Sequence, residues 1–147
     1  MAILCCLDIN QSLAQRNKMI DLAIIGSREF SDFEYLEQKI LLVCNIEEFS
    51  VLEIKSIVSG GAKGADTLAE KFAEKYLLFK KIFYPDWNKF GKSAGFRRNK
   101  DIIENSDIVI AFWDSESKGT KHSIDISKKL NKKIYIFEYK RNFDKWT

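Results

Sequence analysis

Residues 57–73 read IVSGGAKGADTLAEKFA. A short apolar run stops at Ser59, and Gly60, Gly61 and Gly64 follow almost at once. Then Ala65, Leu68, Ala69, Phe72, Ala73 and Tyr76 recur at the three- and four-residue spacing of one helix face. A continuous apolar run of this length is a strand buried on both faces. Glycines between such a strand and a helix let the backbone turn sharply or approach a ligand closely.

The same order recurs on both sides of this stretch. LAIIG (22–26) reads as a first strand, and Ser31 or Asp32 offers a cap for a helix carrying Phe33, Leu36, Ile40 and Val43. IKSIVS (54–59) is the second strand. KKIFYP (80–85) is the third, stopped by the single proline of the chain. Residues 93–105 read as a helix with Phe96, Ile102 and Ile103 inward. DIVIAFW (107–113) is the most apolar run and is expected to lie centrally. A helix over 120–130 and a fifth strand, KKIYIFEY (132–139), complete the pattern. Strands and helices alternating over short links predict an α/β fold with a parallel sheet covered on both faces. Right-handed crossovers and a doubly wound arrangement favour the strand order 3-2-1-4-5, with a ligand crevice where strands 1 and 4 part.

The chain has 147 residues, enough for one domain with a sizeable core. Residues 1–18 read as an N-terminal extension, 19–139 as the domain and 140–147 as a C-terminal tail. With 46% apolar and 31% charged residues the composition is that of a globular protein. A net charge of +3 does not by itself mark a nucleic-acid binder. Cys5, Cys6, Cys44 and a single histidine do not make a structural metal site, and no cofactor is expected. Reduced cysteines fit a cytoplasmic location. No stretch approaches the roughly 20 apolar residues of a membrane helix, and MAILCCL lacks the basic start of a signal peptide.

In such a sheet, ligands collect beyond the carboxyl ends of the strands. GSREF (26–30) places Gly26, Ser27 and Arg28 there, and the planar arginine fork matches a phosphate. SGGAKGAD (59–66) brings Gly60, Gly61, Lys63 and Gly64 to a helix opening, whose free amides and positive dipole end attract anions. Asp66 either meets a ribose hydroxyl or caps local amides. In KSAGFRRNKDIIE (92–104), Arg97 and Arg98 are about 100° apart on the helix. One of them is expected to line the crevice beside Asn99, the other to face away. In FWDSESKGTKHSID (112–125), Trp113 either stacks on a base or rims the core. Gly119, Thr120, Lys121 and His122 open a second helix toward the first. DWNKFGK (86–92) reads as a loop at the same rim, with Trp87 and Phe90 placed to close over a base. Two glycine-bearing helix openings with arginines between them predict a site for a nucleotide or another phosphorylated ligand.

The set GSREF, IVSGGAKGADTLAEKFA, FYPDWNKFGKSAGFRRNKDII, SDIVIAFWD and SKGTKHSIDIS resembles the SLOG superfamily, and more closely its small single-domain YspA/YpsA-related proteins. The resemblance covers residues 21–137. It implies a Rossmann-like three-layer sandwich that holds nucleotides or their derivatives, and self-association into a homo-oligomer. Its relatives include the LOG phosphoribohydrolases, the DNA-processing protein A of natural transformation and the sensor domains of antiviral systems. In the LOG enzymes an arginine and the glutamate of a PGGxGTxxE loop hydrolyse an N-glycosidic bond. Arg98 matches that arginine as the candidate catalytic residue, and Gly119-Thr120 match the GT. Ser123 stands where the glutamate belongs. A serine cannot supply the carboxylate that glycosidic cleavage uses, and Asp125 lies about 200° around the helix; Asp66 or Asp114 would have to serve from another loop.

Three functions follow in order of preference. The first is a nucleotide-ligand binding domain acting as a sensor, sequestering protein or regulator. The second is an N-glycosidase of nucleoside phosphates. The third is a nucleic-acid module of the DNA-processing type, which the modest charge makes the least favoured, so that nucleic acid is expected to be an unlikely partner.

Overall fold

The computed structural model describes residues 18–141. The N-terminal extension, apart from its last residue, and the end of the tail lie outside the described residues.

Five strands form one parallel sheet: β1 (Ile20–Gly26), β2 (Ile54–Ser59), β3 (Phe79–Ile82), β4 (Ile108–Trp113) and β5 (Lys133–Glu138). Their order is β3-β2-β1-β4-β5, as the alternating pattern predicts. β1 pairs with β2 through Leu22–Ile57 and Ala23–Val58, and with β4 through Leu22–Ile108 and Ile24–Ile110. β1 therefore holds the centre, and the more apolar β4 sits one place out, between β1 and β5.

Period-two alternation sorts the side chains onto two faces. Leu22, Ile24, Ile57, Ile110 and Phe112 point to one. There α1 (Phe33–Ile46) buries Leu36, Ile40 and Val43, and α2 (Ala65–Lys75) buries Ala65, Ala69, Phe72 and Ala73. Ala23, Ile25, Val58, Val109 and Ala111 point to the other, against Ile102 and Ile103 of α4 (Ala94–Glu104) and Ile124 of α5 (Lys118–Lys129). Each fully buried aliphatic or aromatic side chain contributes about 1.5–3 kcal/mol, so both layers are fixed by the apolar positions of the sequence. A single helical turn, α3 (Trp87–Phe90), bridges β3 and α4.

Three expectations change. Phe96, read as inward, is exposed and meets the ring of His122 edge-on at 4.4 Å. β3 is an edge strand of four residues, and only a hydrogen bond from Phe83 N to the Ser59 carbonyl, 2.9 Å, extends it toward Pro85. α5 begins at Lys118, because Ser117 caps it, so Gly119 and Thr120 lie within its first turn rather than before it.

Among the described residues no helix is long and apolar enough to cross a membrane. Cys44 is a free thiol in the core, and burial pushes its pKa up to about 11.

Candidate functional site

At the carboxyl edge, where β1 and β4 diverge into different loops, lies a crevice of about 320 Å3. Arg28 and Gly26 enter it from the end of β1, Asp66 from α2, Arg98 and Asn99 from α4, and Ser117, Gly119 and Thr120 from the start of α5. The β1–α1 turn is held down by Phe30, which stacks on Phe112 at 5.0 Å and meets Tyr139 edge-on at 4.8 Å.

Arg98 is the half-buried cation of the site. Its Nη1 donates to the Gly60 carbonyl and its Nε to Asn99 Oδ1 at 3.1 Å. A Cβ on Gly60 would stand 2.6 Å from Arg98 Nη1, so the bare glycine lets the guanidinium lie across the loop. Arg97 points away: its Nε donates to Ser93 Oγ at 3.2 Å and its guanidinium covers the Phe90 ring at 4.4 Å. Burial lowers the pKa of Arg98, Asp66 raises it and the nearby Arg28 lowers it again. Two like charges thus face the same hollow.

The glycine loop is partly engaged by the protein itself. Gly64 has φ of 80°, and a Cβ there would lie 2.4 Å from the Ser27 carbonyl. That close approach lets Ala65 N, the first amide of α2, donate to the Ser27 carbonyl at 3.3 Å. Asp66 Oδ2 takes Ala62 N at 3.1 Å. The first amide of α2 is therefore taken from within the protein, and Asp66 takes a loop amide. Of the two roles read for Asp66, amide capping is realised. Asp66 is 8% exposed, and burial pushes its pKa up to about 6 against the opposing pull of the Ala62 amide, Arg98 and the Gly60 amide.

The α5 opening is capped by its own serine. Ser117 Oγ accepts from Thr120 N at 3.5 Å and shares a 3.1 Å hydrogen bond with Thr120 Oγ1, while Lys121 N is taken by the Ser117 carbonyl. Gly119 lines the crevice with nothing within 4 Å of its would-be Cβ. Helix dipole and unused first-turn amides make this end receptive to negative charge.

Several residues read from the sequence stand elsewhere. Ser27 is buried, turned toward Tyr139, and serves through its backbone carbonyl, which also accepts from Phe30 N at 3.2 Å. Trp113 rims the core: its Nε1 donates to the Ser117 carbonyl at 3.1 Å and so pins the α5 opening instead of offering a base platform in the crevice. Lys121 and His122 do not line it; burial lowers the pKa of His122, Asp125 opposes this, and His122 Nδ1 is buried without a partner. Gly60, Gly61 and Lys63 face a neighbouring cavity, as does Trp87, whereas Phe90 lies under Arg97. Ser123 is buried at the crevice floor, and Asp114 is engaged by the Glu116 and Ser117 amides and by Arg141.

Ser117, Glu29 and Arg141 line the crevice without having been singled out from the sequence. A serine two residues before Gly119 is a capping signal that was available. Arg141, in the segment read as a tail, reaches back to pair with Asp114, with Glu116 Oε2 3.8 Å away, a placement no local pattern encodes. Among the described residues no group of acidic, histidine or cysteine side chains could hold a metal ion.

No family model matches the chain. The Gene 61 protein of Mycobacterium phage D29 is 33% identical to it over 87 residues, which span 55% of this chain and 70% of the phage protein. The chain belongs to the family of that phage protein. Two solved structures are similar in fold. DNA processing protein A from Streptococcus pneumoniae has a TM-score of 0.63 at 22% identity, over 81% of this chain and 50% of that one. DNA processing protein A from Helicobacter pylori, solved for its single-stranded DNA binding mode, has a TM-score of 0.60 at 23% identity, over 85% of this chain and 68% of that one. The chain thus spans half the length of the pneumococcal structure. At these identities the likeness establishes the Rossmann-like α/β architecture and nothing finer. It does correct one expectation. The modest net charge makes nucleic acid look an unlikely partner, but a protein with this fold binds single-stranded DNA.

Proposed function

We propose that this chain binds a nucleotide-derived ligand through its phosphate in the crevice between Arg28, Arg98 and the α5 opening, as a sensing, sequestering or regulatory domain. The observation that carries this reading is the convergence of two guanidinium groups and a helix start on one hollow of about 320 Å3. Planar guanidinium groups and helix-terminal amides are complementary to phosphate oxygens. The motifs also support membership of the SLOG superfamily, among its small single-domain proteins. A LOG-type hydrolysis is the weaker reading: Ser123 occupies the glutamate position, and Asp66, the buried carboxyl in the crevice, is committed to Ala62 N.

Calorimetric titration with nucleoside phosphates, ADP-ribose and short single strands tests the proposal. Arg98→Ala is expected to weaken the best ligand at least about tenfold, the worth of a charge-assisted hydrogen bond. Absence of heat with every phosphorylated ligand would refute it. Release of free base from a nucleoside monophosphate would favour the hydrolase instead.

A second reading places the bound nucleotide within a single strand. It is favoured by the likeness in fold to the Helicobacter pylori structure. Affinity that falls linearly with the logarithm of salt concentration is its signature, and a flat response would remove it.

A further inference from the structure

On the other side of the glycine loop lies a second cavity, of about 540 Å3. Arg28, Ala62 and Arg98 line both hollows, so the arginine pair forms a shared wall. The far side of the second cavity is built from Tyr84, Pro85 and Trp87. The two aromatic rings are 70% and 53% exposed, a costly display unless something covers them.

Tyr84 packs on the glycine loop, and Trp87 lies near the start of α4. Gly61 has φ of 67°, and a Cβ there would stand 2.4 Å from Tyr84 Cε1, so the tyrosine lies directly against the loop backbone. The six-membered ring of Trp87 comes within 3.6 Å of a would-be Cβ on Gly95 of α4. Both rings line the cavity while staying largely exposed. Lys63 completes the cavity, and no carboxylate lines it, in contrast to the crevice with its Glu29 and Asp66. Neither Arg28 nor Lys63 has an ion-pair partner among the described residues. Exposed aromatic rings beside unpaired cations suit a flat aromatic group joined to a phosphate.

We propose that this cavity is a base-stacking compartment: it takes an unpaired nucleobase between Tyr84 and Trp87 while the attached phosphate rests on Arg28 and Arg98. The ligand is then at least two nucleotides long, with one nucleotide in the crevice and the next base in the aromatic cavity. This rests on the phosphate-binding reading of the crevice and adds the second subsite.

The test compares thymidine 5′-phosphate with a 5′-phosphorylated hexathymidylate by calorimetry on the full chain. The wild type is expected to bind the hexamer at least about tenfold more tightly, since one base stacked on an aromatic ring is worth that much. The double variant Tyr84→Ala/Trp87→Ala should reduce the hexamer to the affinity of the monophosphate and leave the monophosphate within about twofold of wild type. Both rings are exposed, so the fold should survive, and Trp87→Phe should restore most of the hexamer affinity. Equal affinity of the wild type for both ligands, or a double variant that binds the hexamer as the wild type does, would overturn the second subsite. Loss of both ligands in Arg98→Ala would leave the crevice reading standing in either case. Indifference of both ligands to Arg98→Ala would remove the crevice reading and the compartment with it.

Discussion

Asp66→Asn changes one oxygen to an NH2 group in a nearly closed site, and its effect on stability should depend on pH. Burial raises the carboxyl from its ordinary 3.8 to about 6. At about 1.36 kcal/mol per pH unit, that difference corresponds to about 3 kcal/mol. The sign follows from proton linkage. Between pH 3.8 and 6 the folded protein holds the Asp66 proton more tightly than the unfolded chain does. Stability from this group is therefore greatest below pH 3.8 and is lost as pH rises through 6. An asparagine still presents an oxygen to Ala62 N but carries no charge to desolvate. Urea unfolding of both proteins at pH 7.5 and pH 4 isolates the effect, because every other titrating group cancels in the double difference. The variant should gain about 1–2.5 kcal/mol relative to wild type on going from pH 4 to 7.5, a little less than the full linkage value because at pH 4 the unfolded carboxyl is already more than half ionised. A wild-type-to-variant difference that is the same at both pH values, or that favours wild type more at pH 7.5, would refute the account of Asp66 as a carboxyl strained by burial.

The glycines at the site should separate by what surrounds them. Gly26→Ala would put a methyl group 2.6 Å from the Phe112 carbonyl and 2.7 Å from Ala65 Cβ, and should cost about 1–3 kcal/mol in urea unfolding. Gly119→Ala meets open space and should leave stability within about 0.5 kcal/mol or raise it slightly. Gly60→Ala would press on the flexible end of Arg98, so ligand titration should show weakened phosphate binding while the melting temperature falls little. Ser117→Ala removes the side-chain acceptor of Thr120 N and should cost about 1 kcal/mol of stability, measurable by thermal unfolding.

The sheet could be read from the chain because its determinants are local. LAIIG is an unbroken apolar run, IKSIVS carries Ile54, Ile57 and Val58 into the core, and the stripe of Leu36, Ile40 and Val43 repeats within a single helix. The rule for doubly wound sheets then left few orders to choose among. The site was read only in part, because its details depend on partners distant in the chain. Nothing near Gly64 reveals that the Ser27 carbonyl takes the first amide of α2. The approach of Arg141 to Asp114 spans 27 positions, and the turn of Trp113 toward Ser117 depends on how the β4–α5 loop folds back. Arg98 and Arg97 could be told apart in principle by the helical angle, but which one faces inward was set by the packing of Ile102 and Ile103 against the sheet.

The Ser27 carbonyl joins three parts of the chain, since it receives amides from Phe30 and Ala65 while Ser27 N is bound to the Phe112 carbonyl. The turn carrying Arg28, the start of α2 and the end of β4 are consequently fastened together before any ligand arrives. A preformed wall of this kind forfeits little conformational freedom on association. Binding should proceed as a simple bimolecular encounter, with observed rates rising linearly with ligand concentration and no slow isomerisation phase following.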